Sequence, residues 1–265
     1  MKKFLALLLA LAMTMAFAGC TDNADSTTGA NENPATNPTG TKFDPAAKSE
    51  GVMTYAEYDA AELNTEVVIE AYVQAAQGWW EKDGQGVITV YAQDPDGAYF
   101  IYEMACSQAD AAKLTKGTKI RVTGYKAAWE GEVEITDPTF EFVTDGTWVA
   151  EATDVTALLG KDELIQHQNK LISVKGATVA AANENGEAFL YKWNGAGAEG
   201  DDLYFNVVVD GATYTFCVES YLCGLGTEAY EAVRGLKVGD VIDLEGFLYW
   251  YNGAQPHITA IKKVG

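Results

Sequence analysis

The sequence predicts an all-β protein with short helices, folded as two similar five-stranded barrels. Apolar residues alternate with other residues over 67–73, which is the period of a half-buried strand. Asp-Pro-Asp-Gly at 94–97 and Asp-Gly at 210–211 are turn signals that join such runs into hairpins. A third observation, an internal repeat, predicts that the same unit occurs twice.

The repeat is clearest between residues 114–131 and 236–253, which align without a gap at an offset of 122 (253 − 131). A turn glycine leads into alternating apolar residues, then a strand glycine and a second turn glycine. Five positions are identical: Leu114/Leu236, Gly117/Gly239, Ile120/Ile242, Gly124/Gly246 and Gly131/Gly253. Because these matches share one physical pattern, we expect two units of the same design.

Each unit is predicted to run three strands, a helix and two strands. In the first unit the strands are 67–73, 87–93, 98–104, 119–126 and 132–143, with a helix at 107–114. In the second they are 171–179, 203–209, 213–218, 241–249 and 256–264, with a helix at 227–236. A helical lead-in precedes each unit, at the capping-box spacing of Thr54 and Glu57 and at 154–167.

This strand order and the glycine-centred fourth strand resemble tandem OB-fold modules of exported bacterial proteins of uncharacterised function. The resemblance covers about 66–143 and 170–264. It implies two five-stranded Greek-key barrels, in which ligands lie on the face of strands 2 and 3, between the strand 1–2 and strand 4–5 loops. It implies no particular activity, because function depends on the site and not on the fold.

The N-terminal residues have the pattern of an export signal, which predicts that the chain is exported. Lys2 and Lys3 precede an apolar stretch at 4–18 that is too short to span a bilayer, as in a secretory signal. Residues 17–20, Phe-Ala-Gly-Cys, resemble the lipobox of a bacterial lipoprotein, with Phe17 in place of the usual Leu. The resemblance implies a signal peptide at 1–19 and a lipidated Cys20 (diacylglyceryl, palmitate) that anchors the chain to the outer face of the cytoplasmic membrane. The alternative is an ordinary cleaved signal.

The domain organisation follows from composition. Thr, Asn, Ala, Gly, Asp and Pro dominate the stretch up to residue 50, which predicts a flexible linker at 20–50. We expect the first OB-fold-like domain at 51–147 and the second at 148–265.

The chain is acidic, with 38 Asp and Glu against 18 Lys and Arg and a net charge of −20. Nucleic-acid binding draws much of its affinity from basic side chains on phosphates. The charge therefore argues against nucleic acid as a partner, and single-stranded nucleic-acid binding stays the weakest alternative.

Cysteines and histidines indicate no reactive site. Cys106, Cys217 and Cys223 are too sparse for a disulfide framework and lack zinc spacing, so free thiols are favoured over a Cys217–Cys223 bridge. His167 and His257 have no nucleophile near them in the sequence. We expect no catalytic residue, no cofactor and no enzyme activity.

Acidic turns could hold Ca²⁺, which binds carboxylate oxygens. Residues 94–97 and 199–202 lack the EF-hand pattern, so plain turns are the favoured interpretation and no metal site is expected.

Aromatic residues cluster at the loops where an OB-fold binds its ligand. They are Trp79, Trp80 and Trp129 in the first unit and Tyr191, Trp193, Trp250 and Tyr251 in the second. These rings could form a stacking platform for a ligand, with neutral oligosaccharide as first candidate. Alternatively they close the barrel ends or pack one unit on the other, as an interaction module for a protein or peptide partner would.

Overall fold

The structure is a computed structural model that describes residues 43–264, and it confirms the all-β fold with two OB-fold barrels. The first barrel, barrel 1, contains in chain order α1 (Tyr55–Ala60), β1 (Glu66–Ala76), β2 (Trp80–Lys82), β3 (Gln85–Gln93), β4 (Ala98–Ala105), α2 (Gln108–Ala111), β5 (Thr118–Trp129) and β6 (Glu132–Thr147).

The second barrel, barrel 2, follows after a short connection. It contains β7 (Thr153–Asp154), 3₁₀ turns at Thr156–Leu158 and Asp162–His167, β8 (Leu171–Ala180), β9 (Leu190–Tyr191), β10 (Leu203–Val209), β11 (Ala212–Val218), α3 (Glu228–Arg234), β12 (Val241–Phe247) and β13 (His257–Lys263).

The two barrels share one topology. Barrel 1 has the order β1-β5-β6-β4-β3 and is closed by pairing of β1 with β3. Barrel 2 has the order β8-β12-β13-β11-β10 and is closed by β8 with β10. In both, the third and fifth long strands are parallel and the other pairs antiparallel. This is the Greek-key order of the OB-fold.

The repeated strand glycines mark equivalent irregularities in the two barrels. The register shifts at Gly124 between β5 and β6 and at Gly246 between β12 and β13. A Cβ at Gly124 would lie 2.6 Å from the side chain of Ile135, and a Cβ at Gly246 would lie 2.2 Å from the carbonyl oxygen of His257. Glycine is needed at both positions because the neighbouring strand approaches too closely for any side chain.

The face of β1 that was expected to be solvated is buried. Tyr72 and Gln74 alternate with the core residues of this strand and are nevertheless buried. Residues 43–50, expected to belong to the flexible linker, cover this side: Phe43 packs edge-on against Tyr72, and Lys48 pairs with buried Asp94 at 2.6 Å. The packed part of the described chain therefore includes 43–50, which corrects the expected linker boundary.

The two helical lead-ins differ. The capping box of Thr54 and Glu57 is present at α1 as predicted. The helix expected over 154–167 is wrong, because Gly160 adopts a left-handed backbone (φ +75°) and separates two short 3₁₀ turns. Left-handed residues end helices, so no α-helix can run through this position.

The barrels meet at an aromatic interface. Tyr91 of barrel 1 stacks on Phe247 of barrel 2, with ring centroids 4.4 Å apart. Phe100 and Leu171 complete this small buried cluster, and Trp148 and Tyr249 pack at its edge. Hydrogen bonds add specificity, including Gly78 N to Tyr221 O, Asn252 N to Glu130 O and Asn169 Nδ2 to Val133 O.

Candidate functional site

A cleft of about 960 Å³ opens between the barrels. Its volume is at the upper end of those typical of ligand pockets. The lining side chains come from both barrels: Gln77, Trp80, Thr89, Phe100, Tyr102, Glu103, Trp193, Asp202, Tyr204, Cys217, Glu219, Tyr221, Tyr249, Tyr251, Gln255 and His257. Half of these are aromatic.

One wall of the cleft is the outer face of β3 and β4, the second and third strands of barrel 1. Along β4, Tyr99 and Ile101 point into the barrel core, so the alternating Phe100 and Tyr102 point outward. Trp80, on the short strand β2, stands at the rim. This is the face on which an OB-fold binds its ligand.

The opposite wall comes from barrel 2. Tyr204 on β10 and Cys217 on β11 belong to its own second and third strands, and Tyr249 and Tyr251 to the connection between β12 and β13. Trp193 lies in the loop between β9 and β10. The ligand faces of both OB-folds therefore converge on a single cleft.

Hydrogen bonds hold the Trp193 loop in place. The hydroxyl of Tyr230 on α3 donates to Asp201 O and accepts from Gly200 N, each at 2.8 Å. The carboxylate of Asp202 accepts from Ser220 N at 2.8 Å and from Ser220 Oγ at 2.7 Å. These bonds fix the loop end on the barrel and leave Trp193 exposed.

The floor of the cleft contains His257 and Glu219. Nδ1 of His257 lies 2.9 Å from the Tyr91 hydroxyl and 3.7 Å from Oε2 of Glu219, and its ring stacks on Tyr249. Gln77 Nε2 donates to both oxygens of Glu219 at 3.0 and 2.8 Å. The floor is thus a polar network that joins the barrels beneath aromatic walls.

Burial favours the neutral forms of both groups. Burial lowers the pKa of His257 well below its ordinary value. Burial, and then the nearby Asp202, raise the pKa of Glu219 to about 7, against a smaller opposing effect of Gln77. Near neutral pH the floor therefore holds an uncharged imidazole and a carboxyl close to its midpoint of titration.

Three of the aromatic residues predicted as ligand-binding line the cleft: Trp80, Trp193 and Tyr251. They are 44%, 75% and 47% exposed, and Tyr221, which the sequence did not single out, is 70% exposed. Large apolar faces left in water at one concave surface are characteristic of a binding site.

The other four predicted rings lie elsewhere. Trp79 packs on the core of barrel 1 and donates from Nε1 to Cys106 O at 2.8 Å, and Tyr191 packs on the core of barrel 2. Trp129 is 58% exposed but does not line the cleft. Trp250 lines a separate cavity of about 400 Å³ near Leu164.

The residues at the floor of the cleft were not predicted from the sequence. Glu219 follows the end of β11 with no motif around it, and His257 has no nucleophile near it in the sequence, so neither residue was singled out. Phe100 and Tyr102 carry a signal that was available: both occupy the outward phase of a strand, where polar residues are expected if the face is solvated. Outward aromatics at i and i+2 indicate a covered or ligand-binding face.

The acidic turn at 94–97 is structural. Oδ1 of Asp94 accepts from the backbone N–H groups of Asp96 and Gly97, and Oδ2 pairs with Lys48 and accepts from Tyr99. Both oxygens of Asp94 therefore have partners within the protein. Cys106, Cys217 and Cys223 are free thiols.

The lipobox, with Cys20, and the linker up to residue 42 lie outside the described residues. Within 43–264, no helix combines the length and hydrophobicity needed to cross a membrane.

No protein-family model and no curated protein matches the chain. Among solved structures, the p204 HINb domain is similar at 9% identity, with 77% of this chain and 100% of that chain covered and a TM-score of 0.36. The Ifi202 HINa domain in complex with 20 bp double-stranded DNA is 11% identical, with 75% and 98% covered and a TM-score of 0.35. A Replication Protein A heterotrimer bound to single-stranded DNA is 12% identical, with 83% and 52% covered and a TM-score of 0.34.

These likenesses concern the fold, and they correct one expectation. Nucleic acid was expected to be an unfavourable partner because of the net charge, but several of these similar structures are complexes with DNA. Net charge averages over a whole surface, whereas binding depends on the local contact, so the acidic composition does not exclude a nucleic-acid ligand. The chain is a tandem pair of OB-folds.

Proposed function

We propose that the protein is a non-enzymatic binding protein whose inter-barrel cleft holds an extended ligand with flat rings, with an oligosaccharide as the first candidate. The observation that carries the proposal is the convergence of both OB-fold ligand faces on one cleft rimmed by exposed Trp80, Trp193 and Tyr251. Sugar rings present apolar faces that stack on such side chains, and OB-folds serve as oligosaccharide-binding modules.

The polar lining suits a hydroxyl-rich ligand. Gln77, Gln255 and Thr89 offer neutral donors and acceptors between the aromatic rings. The carboxylates of Glu219 and Asp202 are engaged by Gln77 and Ser220, so we assign them to positioning and recognition and not to catalysis. Incubation of the protein with the bound oligosaccharide is expected to release no reducing ends.

A second candidate ligand is single-stranded nucleic acid. The same exposed rings could stack bases, at about 1–3 kcal/mol each. A nucleic-acid ligand would show affinity that falls steeply with salt because counterions are released, whereas a neutral sugar would show little salt dependence.

The test compares two exposed tryptophans by calorimetric titration with neutral tetrasaccharides and with a single-stranded oligonucleotide. Trp193→Ala removes a ring at the cleft, and Trp129→Ala removes a ring that is also exposed, at 58% against 75%, but lies outside it. We expect Trp193→Ala to weaken binding about tenfold or more and Trp129→Ala to leave it unchanged, with both variants melting like the parent. Equal effects of the two substitutions, or binding of the oligonucleotide alone, would overturn the oligosaccharide assignment.

We also propose that Cys20 carries lipid and tethers the cleft at the outer face of the membrane. The proposal is supported by the lipobox at 17–20 and by the apolar stretch that precedes it. Labelling of bacteria that express the protein with a palmitate analogue should mark the parent and not Cys20→Ser. Labelling of Cys20→Ser at the level of the parent would refute the anchor.

A further inference from the structure

The charges that line the cleft are all of one sign. Glu103, Asp202 and Glu219 contribute carboxyl groups, and no Lys or Arg is among the lining side chains of the described chain. Glu103 at the rim is paired with Lys82 from outside the cleft. The carboxyl groups of Asp202 and Glu219 have no such cationic side chain paired with them in residues 43–264, apart from the contact of Glu219 with the uncharged His257.

Two neighbouring carboxyl groups without a cation are costly in a partly enclosed site. Glu219 is largely buried, with 17% of its side chain exposed. The titratable groups around it are Asp202, His257, Cys217, Cys223, Tyr91, Tyr204 and Tyr249. None of these is a cation at neutral pH, so a positively charged ligand group would be the first to compensate Glu219.

His257 offers a hydrogen-bonding atom at the floor of the cleft. Its side chain is 7% exposed, and its ring lines the cleft. Nδ1 is occupied by the hydroxyl of Tyr91, whereas no hydrogen bond to Nε2 is present within residues 43–264. Nε2 is not one of the enclosed polar atoms without a partner in the described chain, so it is open to the cleft and can form a hydrogen bond with a polar ligand atom there.

The aromatic walls favour the same kind of ligand. Cations are attracted to the faces of Trp and Tyr rings, most strongly where water is excluded. Tyr249 is stacked on His257 at the floor, and Trp80 and Tyr251 line the same cleft. Rings that stack on a sugar can therefore also stabilise a positive charge carried by that sugar.

We infer that the floor of the cleft recognises a protonated amine, so that the preferred ligand is an oligosaccharide with an unacetylated amino sugar, its ammonium group on Glu219 and Asp202 and a neighbouring hydroxyl on His257. This inference rests on the proposed oligosaccharide function and names the class of sugar.

The experiment titrates the full-length protein with three tetramers of the same linkage: glucosamine, N-acetylglucosamine and glucose. We expect the glucosamine tetramer to bind about tenfold tighter than the other two, because only its ammonium group forms charged hydrogen bonds with the carboxylates of the floor. Glu219→Gln should abolish this preference and keep the weaker binding of the neutral tetramers. Glu184→Gln is the control: this exposed carboxylate does not line the cleft, and the variant should retain the preference.

The outcomes separate the two proposals. If all three tetramers bind equally, or if Glu219→Gln keeps the preference, the amine inference is overturned while the oligosaccharide function stands. If no tetramer binds, both fail. Spermidine serves as a probe for amine binding without sugar, and affinity equal to that of the glucosamine tetramer would overturn the assignment to an amino sugar. Should Glu219→Gln fail to fold, Asp202→Asn and the pH dependence of the parent provide the test: the preference should fall below pH 7, where Glu219 takes up a proton.

Discussion

The hydroxyl of Tyr91 in barrel 1 lies 2.9 Å from Nδ1 of His257 in barrel 2, and both side chains are buried. This contact joins the barrels at the point where the cleft reaches its floor. The orientation of the imidazole in the site therefore depends on how the barrels are docked.

Tyr91→Phe is expected to lower the free energy of unfolding by about 1–3 kcal/mol, because it leaves a buried imidazole nitrogen without its partner. It should also weaken ligand binding, since His257 loses the contact that orients it. Urea denaturation and calorimetric titration measure the two effects. Tyr125→Phe alters an exposed tyrosine distant from the interface and is expected to change neither.

Glu132 makes stability depend on pH. This carboxyl group of barrel 1 is buried and accepts from Trp250 N of barrel 2 at 2.8 Å, and burial raises its pKa from 4.5 to about 8. Between these values the folded chain binds more protons than the unfolded chain. Stability should therefore fall as pH rises from about 4.5 to about 8, by up to about 1.4 kcal/mol per pH unit for this one group.

Thermal melts across that pH range check the prediction. Glu132→Gln, a neutral side chain of the same shape, should flatten the decline, and Glu130→Gln, at an exposed neighbouring position, should leave it as steep as in the parent. The lowered pKa of buried His257 contributes a slope of the opposite sign below about pH 6.5, so the decisive range lies above it. A parent protein that becomes more stable from pH 6.5 to pH 8 would contradict the buried, protonated carboxyl group. Glu219 contributes a slope of the same sign up to about pH 7.

Substitutions of the adjacent residues Trp79 and Trp80 should have different effects, one on stability and the other on ligand binding. Trp79 covers the core of barrel 1 and donates to Cys106 O, so Trp79→Ala should cost about 3 kcal/mol of stability. Trp80 is exposed at the cleft rim, so Trp80→Ala should leave stability within about 0.5 kcal/mol and weaken ligand binding. Denaturant unfolding of both variants tests this, and the opposite ranking would reverse the two roles.

Gly246→Ala should destabilise the protein by about 1–3 kcal/mol, because the added methyl group would lie 2.2 Å from His257 O and force β12 away from β13. Gly235→Ala is the control: its nearest contact is an ordinary 3.5 Å, and its φ of −89° is open to alanine. Denaturation midpoints should drop only for Gly246→Ala. If Gly246→Ala left the denaturation midpoint unchanged, β12 and β13 would be able to move apart at little cost in stability.

The strands that were predicted from alternation and turn signals lie close to those of the structure. Inward residues such as Val67 and Ile69 are buried in the barrel core regardless of what covers the outer face of the strand. Expectations about the lead-in helix of barrel 2 and about the outer face of β1 were less accurate. The 154–167 helix is broken at Gly160, and the outer face of β1 is covered by residues 43–50. Gly160 was itself a local signal of the break, whereas nothing local in the sequence indicates that residues 43–50 cover β1.

The sequence by itself determined two duplicated barrels, since strand period, turn chemistry and the repeated Gly124 and Gly246 act over a few residues of chain. It also placed Trp80, Trp193 and Tyr251 at the correct rims. Only the tertiary structure decided that both rims face one cleft and that Glu219 and His257 form its floor, 3.7 Å apart. The physical reason is that docking of the barrels depends on side chains far apart in the chain, such as Tyr91 and Phe247. The periodicity of the sequence reports which residues face a core, but it does not report which distant side chains fit each other.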